Sequence, residues 1–438
     1  MTLEELFDTK LTENGDVAFN SLSDNDLINI LFLTEYYQKH LNEVPNIGTS
    51  ALAKTFAMFI RDPRYGLGCR DLGRKLMFDA SCTFEDILKA GRADDLFFAN
   101  AKKADIYDYL KWQICQNNEL VKKWMPRYSS KQLQLAREIA KYWKMNKQQY
   151  GHFIKCNTTE NKLSRHDYNG IDFEHVPSLA MIKYAHTFSN KPELASRYQQ
   201  YLIDVKEGKK DLKVSTTTVY DIFKNAHNID ADLFFSKIEK ISGSWIPIVD
   251  TSGSMWDSND SIGKALSIGH YLAKCSTYCP NKVISFSSHP QLITLGIPAE
   301  TEWHRNCLSG ESVYAKEINS MYTGDCSNTD FGAVMGLLSN LDGDMPDYLI
   351  VLSDMEFDKG SYRNKNATMR LFHSKGYKTR IIWWNFNSRN ITCPEKDIYG
   401  NIYLSGYNPL LLKYLQAGFD SEQFLLTLLR EYVTILSK

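Results

Sequence analysis

The chain has 438 residues, of which 43% are hydrophobic and 24% are charged, a composition typical of a globular protein with two or three domains. Its net charge of -1 excludes a chain that is basic throughout. No run approaches the roughly 20 apolar residues of a membrane helix, and the first residues lack the apolar core of a signal peptide. We therefore expect an intracellular protein, cytoplasmic or nuclear, that has no membrane partner.

Charged residues are unevenly distributed along the chain. Residues 1–50 contain 2 Lys/Arg against 9 Asp/Glu, whereas residues 101–150 contain 11 Lys/Arg against 4 Asp/Glu. The basic stretch is the part of the chain best suited to a polyanion. The nine cysteines are scattered, and we expect them to be free thiols in a reducing compartment.

Residues 1–240 have the pattern of a helical domain. Apolar residues at helical spacing predict helices at 25–41, 50–62 and 131–145. Strand-like alternation is almost absent. Prolines separate short helices in this stretch, at positions Pro63, Pro126, Pro177 and Pro192. We predict a helical-repeat, HEAT-like domain over residues 1–240.

From about residue 244, strands alternate with helices. Strands are predicted at 245–249, 282–287, 291–297, 348–354 and 379–385, and helices at 261–278, 312–320, 330–341, 366–375 and 421–436. This alternation predicts an α/β domain over residues 241–438 with a Rossmann-like, doubly wound, mostly parallel sheet. Ligands of such sheets bind beyond the carboxyl ends of the strands.

The stretch WIPIVDTSGSMW, residues 245–256, places polar side chains at such an end. Asp250 follows the predicted strand, and Ser252 and Ser254 follow in the loop, where Gly253 permits a close turn. Carboxylate and hydroxyl oxygens are hard donors, suited to Mg²⁺, Mn²⁺ or Ca²⁺.

Two further oxygen donors occupy equivalent places. Asp354 ends the strand YLIVLSD, and Thr329 precedes the helix predicted at 330–341. The carboxyl ends of parallel strands share one edge of the sheet, so we expect these side chains to converge on one metal ion. The alternative is a Ser/Gly-rich helix cap with unrelated carboxylates.

Asp250, Ser252, Ser254, Thr329 and Asp354 together resemble the metal-ion-dependent adhesion site of von Willebrand factor A domains, over residues 241–438. The resemblance implies that the two serines ligate the ion through their hydroxyls and that the two aspartates bind it directly or through water. Thr329 would ligate in the ligand-competent state, and an open position would accept an acidic oxygen of a protein partner.

The sequence departs from that pattern near two of these positions. Met355 stands where a glycine is usual after the second aspartate, and Asn328 stands where a glycine often precedes the threonine. Glu356 and Asp358 add acidic side chains. Extra acids would tighten cation binding or repel an acidic ligand.

The segment IRDPRYGLGCRDLGRKL, residues 60–76, resembles the R-D-x-R-x-G-x-G-x-R signature of Ro autoantigen (TROVE) proteins. Four more segments are similar to an uncharacterised branch of that family, at 90–99, 122–127, 175–184 and 353–358. The two resemblances span nearly the whole chain. They imply a helical domain that binds small non-coding RNA or misfolded RNA ends.

A set of cations is the candidate RNA contact, because Lys and Arg neutralise phosphates. Its members are Arg61, Arg64, Arg70, Lys102, Lys103, Lys122, Lys123 and Arg127. Aromatic residues that could stack on bases interleave with the basic stretch, namely Tyr107, Tyr109, Trp112, Trp124, Tyr128, Tyr142 and Trp143. The alternatives are solvated lysines on helix faces with aromatics in the core, and an internal ion-pair network for the arginines.

These features favour a non-enzymatic scaffold whose helical domain binds structured or single-stranded RNA and whose A domain binds an acidic ligand through a divalent cation, Mg²⁺ or else Mn²⁺ or Ca²⁺. The alternative is a protein that takes part in protein–protein interaction or assembly, for example in a virus, and that has no nucleic-acid role. We expect no enzymatic activity, because the sequence contains no Walker loop and no nucleophile elbow.

Overall fold

The computed structural model describes residues 9–11, 17–19, 51–62, 66, 70–214, 216–286, 289–297, 306–323, 331–339, 345–354, 374, 378–386, 401–407, 411–412, 415, 418 and 432. The chain forms two compact units. The mixed unit comprises Met1–Thr34 and Phe173–Asp420, and the helical unit comprises Glu35–Asp172 and Ser421–Lys438. The boundary predicted between residues 240 and 241 concerns sequence domains and stays a prediction.

A short hairpin lies near the start of the chain. Strands β1 (Thr9–Leu11) and β2 (Val17–Phe19) pair antiparallel. The sequence did not indicate them, because three residues are too few to show a period-two alternation.

The described core of the helical unit is built from short helices. They are α1 (Ala51–Arg61), α2 (Arg70–Asp79), α3 (Phe84–Ala90), α4 (Lys103–Cys115), α5 (Glu119–Trp124), α6 (Leu133–Tyr142), α7 (Lys147–Phe153) and α8 (Thr159–Ser164). Side-chain caps set several starts, as when Thr83 and Asp86 form a capping box before α3. The helices predicted at 50–62 and 131–145 are confirmed as α1 and α6, and that at 25–41 lies outside the described residues.

Four helices of the mixed unit precede its sheet. They are α9 (Ser178–Asn190), α10 (Pro192–Lys206), α11 (Val219–Asn225) and α12 (Ala231–Ser236). Pro192 occupies the first turn of α10, where its missing N–H costs nothing. Phe173 packs with Phe188 of α9 and Tyr198 of α10 in one aromatic cluster. The predicted helical N-terminal region is thus confirmed.

The sheet of the mixed unit has the order β5-β4-β3-β6-β7-β8. Its strands are β3 (Trp245–Asp250), β4 (Lys282–Phe286), β5 (Gln291–Thr294), β6 (Tyr348–Ser353), β7 (Arg380–Asn385) and β8 (Ile402–Ser405). All pairings are parallel except that of β4 with β5. The prediction of a mostly parallel sheet is confirmed, whereas β8 was not predicted.

Helices cover both faces of this sheet. They are α13 (Ser261–Cys275) and α15 (Phe331–Ser339), whereas α14 (Val313–Ser320) packs against α13. Ile246 and Ile248 pack with Val334 of α15 in one apolar cluster. On the opposite face, Trp245 Nε1 donates to the carbonyl of Leu272 in α13. Burial on both faces explains the continuous apolar runs of β3 and β6.

The strand order reverses at the pair β3–β6. The chain leaves β3 toward β4 on one side and returns with β6 on the other. The crevice at such a switch point, beyond the carboxyl ends, is where doubly wound sheets bind ligands. Thr329 lies outside the described residues, as do the helices predicted at 366–375 and 421–436 apart from Ser374 and Tyr432.

None of the helices in the described residues combines the length and apolar character that crossing a bilayer requires. The cysteines within the described ranges are free thiols, namely Cys82, Cys115, Cys156, Cys275, Cys279 and Cys307.

Candidate metal site and candidate nucleic-acid surface

Strands β3 and β6 place two polar side chains side by side at their carboxyl ends. Val249 pairs with Leu352 in the parallel register, so Asp250 and Ser353 are the next residues along. Both are fully buried. Ser353 Oγ donates a hydrogen bond of 2.6 Å to Asp250 Oδ2. The bond fixes the orientation of the carboxylate at the switch point.

The loop after β3 brings two more hydroxyls to this point. The backbone N–H of Ser252 donates to Asp250 Oδ1 at 2.9 Å, and the Oγ atoms of Ser252 and Ser254 lie 3.2 Å apart. Thr251 anchors the loop, because its N–H donates to the carbonyl of Phe286 at the end of β4. Ser252 is buried and Ser254 is partly exposed, so the cluster opens to solvent on the Ser254 side.

Burial raises the pKa of the Asp250 carboxyl to about 6. Hydrogen bonds from Ser353 and Ser252 lower this pKa in part, and the carboxylate of Asp354 raises it further. No Lys or Arg of the described residues is among the groups that shift it. A buried carboxylate that lies near a second one, that of Asp354, is electrostatically suited to a divalent ion.

The structure brings together Asp250, Ser252, Ser254 and Asp354 of the predicted metal ligands. The fifth, Thr329, lies outside the described residues, as do Met355, Glu356 and Asp358. In the described part of the chain, no three His, Cys, Asp or Glu side chains form a group that could hold a metal. A cation here would therefore need hydroxyl oxygens as well as the two carboxylates, which fits a hard ion.

Ser353 precedes Asp354 in the oxygen cluster that the sequence places at the end of YLIVLSD, but it is not among the predicted metal ligands. The period of two in a strand places Ser353 on the same face as Leu349 and Val351. These two residues belong to the same apolar cluster as Ile246 and Ile248 of β3. Only the β3–β6 register, however, shows that Ser353 lies beside Asp250.

The arginines of the 60–76 segment divide into buried and exposed ones. Arg61 is 2% exposed, and its Nη2 pairs with Asp95 Oδ2 at 2.6 Å. Arg74 Nε pairs with the other oxygen of Asp95 at 2.6 Å. Arg70 is 48% exposed and pairs with Asp94. The segments 60–76 and 90–99 thus lie against each other through Arg–Asp pairs.

This geometry corrects the assignment of Arg61 as an RNA contact. A guanidinium that is buried in α1 and bound to Asp95 is not accessible to a phosphate, and the internal ion-pair alternative describes it better. Gly73 belongs to the same packing, because a Cβ at this position would lie 2.6 Å from the Cα of Arg61. Arg70 remains accessible, and Arg64 lies outside the described residues.

The remaining cations of the predicted set lie at or near the surface. Lys102, Lys103 and Lys123 are exposed, whereas Lys122 and Arg127 are partly buried. Lys122 is held by Asn117 and Glu119, and Arg127 Nη2 donates to the carbonyl of Lys122. Lys103 forms an exposed pair with Glu138, and exposed pairs contribute little to stability.

The aromatic residues of the basic stretch also divide. Tyr107 and Trp143 belong to the core, and Trp143 Nε1 donates to the carbonyl of Tyr107. Trp112 is 54% exposed and Tyr142 is 42% exposed. Tyr142 OH donates to Asp108, one helical turn before Trp112 in α4. These two aromatic side chains therefore lie on neighbouring parts of one surface.

Fold and site together define a protein with a helical N-terminal region and an α/β region whose polar side chains gather at a topological switch point. Two family models match the chain. One is a domain of unknown function (DUF2828) over residues 116–250, and the other is a domain of unknown function (DUF7788) over residues 244–427.

Two individual proteins are similar to the chain over most of its length. An uncharacterized protein of Acanthamoeba polyphaga mimivirus is 23% identical over 360 residues, which cover 72% of this chain and 61% of that protein. The crystal structure of the Deinococcus radiodurans Ro (RSR) protein matches with a TM-score of 0.44 and 12% identity, covering 92% of this chain and 93% of that one. RNA binding by this chain stays a prediction.

Proposed function

We propose that the mixed unit binds a divalent cation at Asp250 and, through it, an acidic side chain of a protein partner. The observation that carries this proposal is the hydrogen bond from Ser353 to Asp250, which unites the carboxyl ends of β3 and β6 at the switch point. Ser252 and Ser254 add hydroxyls from the adjoining loop, and Asp354 adds a second carboxylate.

The donor set favours binding over catalysis. Two carboxylates offset the charge of one divalent ion, and Mg²⁺ keeps several exchangeable water ligands. The partly exposed Ser254 side leaves room for a ligand oxygen to replace such a water. The proposal therefore describes a non-enzymatic adhesion module that uses Mg²⁺, with Mn²⁺ and Ca²⁺ as alternatives.

Calorimetric titration with Mg²⁺ and Mn²⁺ tests the cation site. We expect Asp250→Asn to weaken binding by about tenfold or more, because it removes a charged ligand. The matched control is Asp347→Asn, since Asp347 is an exposed acid just before the amino end of β6. Equal binding by wild type and Asp250→Asn would overturn the proposal.

A second candidate function, RNA binding by the helical unit, is favoured by the pair Trp112 and Tyr142. Both rings are exposed on neighbouring parts of one surface. Exposed lysines flank them, including Lys141 and Lys144. Stacking rings beside cations suit flexible or single-stranded RNA.

Fluorescence anisotropy with a labelled single-stranded RNA and a labelled hairpin tests this candidate. We expect Trp112→Ala to cost about 1–3 kcal/mol of binding free energy, the usual worth of one stacked base. Affinity should fall as salt rises. Leu179→Ala is the control, at an exposed apolar residue of the mixed unit. No binding at low salt would favour the alternative of a protein–protein module without an RNA role.

A further inference from the structure

The loop of the candidate cation site carries one large side chain that faces solvent. Trp256 directly follows the turn Gly253–Met255, and the backbone N–H of Trp256 donates to the carbonyl of Gly253 at 3.2 Å. Met255 is fully buried, whereas the indole of Trp256 is 40% exposed. The turn thus anchors the loop in the core through one residue and presents an aromatic ring two residues beyond Ser254.

The ring of Trp256 packs against a buried aromatic side chain. It packs edge-on against Tyr322, with centroids 5.5 Å apart and an interplanar angle of 71°. Tyr322 is itself 2% exposed, so it is a fixed support. A ring that is already positioned loses little conformational entropy when a ligand covers it, which is why tryptophan is common at binding hot spots.

The acidic residues that follow Trp256 accept hydrogen bonds from groups of the protein itself. Asp257 Oδ1 accepts from the N–H groups of Asn259 and Ser261. Asp260 Oδ2 accepts from Tyr220 OH. Among the described residues of this loop, the indole of Trp256 is thus the large apolar surface that solvent reaches next to Ser254.

We propose that Trp256 is a specificity-determining residue of the cation site and that it selects acidic peptide segments with an apolar side chain within two residues of the acid. The acidic oxygen binds the cation, and the apolar side chain covers the indole. Residues of an extended peptide are about 3.3–3.6 Å apart, so a side chain two residues from the acid lies about 7 Å from it, and Trp256 likewise lies two residues beyond Ser254 in the loop. This inference rests on the proposed cation-dependent binding of an acid.

Three blocked peptides test it on the full chain loaded with Mn²⁺. Their sequences are Leu-Gly-Asp-Gly-Leu, Gly-Gly-Asp-Gly-Gly and Leu-Gly-Asn-Gly-Leu, and the paramagnetic relaxation of peptide protons reports binding. We expect wild type to bind the first peptide about tenfold more tightly than the second, as burial of one leucine side chain allows. The Asn peptide should not bind measurably.

Trp256→Ala should reduce the preference for the leucine peptide to twofold or less, and the variant should bind Mn²⁺ as tightly as wild type does. Trp256→Phe keeps an aromatic ring and should retain part of the preference, and it replaces the alanine variant if that one fails to fold. Leu179→Ala removes another exposed apolar side chain of the mixed unit and should change nothing.

The outcomes separate the two proposals. If both Asp peptides bind wild type equally, or if Trp256→Ala keeps the full preference, the role of Trp256 is overturned and the cation site stands. If neither Asp peptide binds Mn²⁺-loaded wild type, the proposed binding of an acidic ligand fails, and the role of Trp256 fails with it.

Discussion

Ser353 donates its hydroxyl hydrogen to a carboxylate, Asp250, that lies beside it on the neighbouring parallel strand, and both side chains are fully buried. A buried carboxylate is costly unless it is paired. Here the bonds from Ser353 and Ser252 orient Asp250 but do not neutralise it. The site is thus preorganised for a positive charge, and this arrangement has consequences for stability.

Asp250→Asn should stabilise the metal-free protein at neutral pH. The pKa of Asp250 is raised from 3.8 to about 6 in the folded state, so the folded chain binds the proton more tightly than the unfolded chain. The contribution of this carboxyl to the free energy of unfolding is therefore highest below about pH 4 and is lost as pH rises through about 6. The loss amounts to about 3 kcal/mol, which the asparagine variant avoids.

Urea unfolding in a chelator, at pH 4.5 and pH 7.5, measures this difference between wild type and Asp250→Asn. Adding Mg²⁺ at pH 7.5 should stabilise wild type and leave the variant unchanged, because ligands stabilise only a state that binds them. Asp347→Asn again serves as the control. A variant with the same pH dependence as wild type would contradict the raised pKa.

The positions of Asp250 and Ser353 at one edge of the sheet were predictable, but the hydrogen bond between them was not. The apolar run 245–249 predicts a buried strand, and the end of a buried parallel strand is a known place for ligands. The partner across the gap depends on the strand register, which joins residues 103 apart in sequence. Local patterns contain no information about such a pairing.

The same limit explains the basic, aromatic helices. Trp112 and Trp143 both occur in the stretch 101–150, yet Trp112 is exposed, whereas Trp143 is buried and donates to the carbonyl of Tyr107. For Arg61 the sequence leaves a phosphate contact and an internal ion pair open, and its partner Asp95 lies 34 residues away in the chain. Tertiary packing decides which residue of an amphipathic pattern faces solvent.

Asp95→Ala should destabilise the helical unit by about 3–5 kcal/mol, because it leaves the buried charges of Arg61 and Arg74 uncompensated. Asp94→Ala is the matched control at the adjacent position. Its partner Arg70 is 48% exposed, so the loss should be about 1 kcal/mol or less. Chemical unfolding followed by circular dichroism measures both, and equal losses would contradict the special role of Asp95.

Gly269→Ala should destabilise the mixed unit by about 1–3 kcal/mol through overpacking. A Cβ at this position of α13 would lie 2.5 Å from Val249 Cγ2 and 3.0 Å from Met321 Cε. Val249 directly precedes Asp250, so the change should also weaken Mg²⁺ binding. Gly151→Ala is the control, because its added Cβ would lie within 4 Å of no atom other than those of its chain neighbours and its own helix backbone. Wild-type stability and Mg²⁺ affinity in Gly269→Ala would contradict the close contact.

His270 should make the mixed unit sensitive to acid. It is fully buried in α13, where its Nε2 lies 2.7 Å from Glu317 Oε2 and its ring packs 4.6 Å from that of Phe235. Its Nδ1 has no hydrogen-bond partner among the described residues, so a proton there would be buried unsatisfied. Burial lowers the pKa of His270, and Lys274 lowers it further, whereas Glu317 and Asp232 act in the opposite direction.

Because the folded pKa is below the unfolded value of 6.5, the unfolded chain takes up a proton that the folded chain resists. Stability from this group is complete above about pH 6.5 and is lost as pH falls below it. His270→Gln keeps an N–H donor for Glu317 but does not titrate, so its unfolding free energy should change less between pH 7.5 and pH 5 than that of wild type. His289→Gln, at an exposed site of the same unit, should leave the wild-type dependence in place. If His270→Gln lost as much stability on acidification as wild type, another group would be responsible.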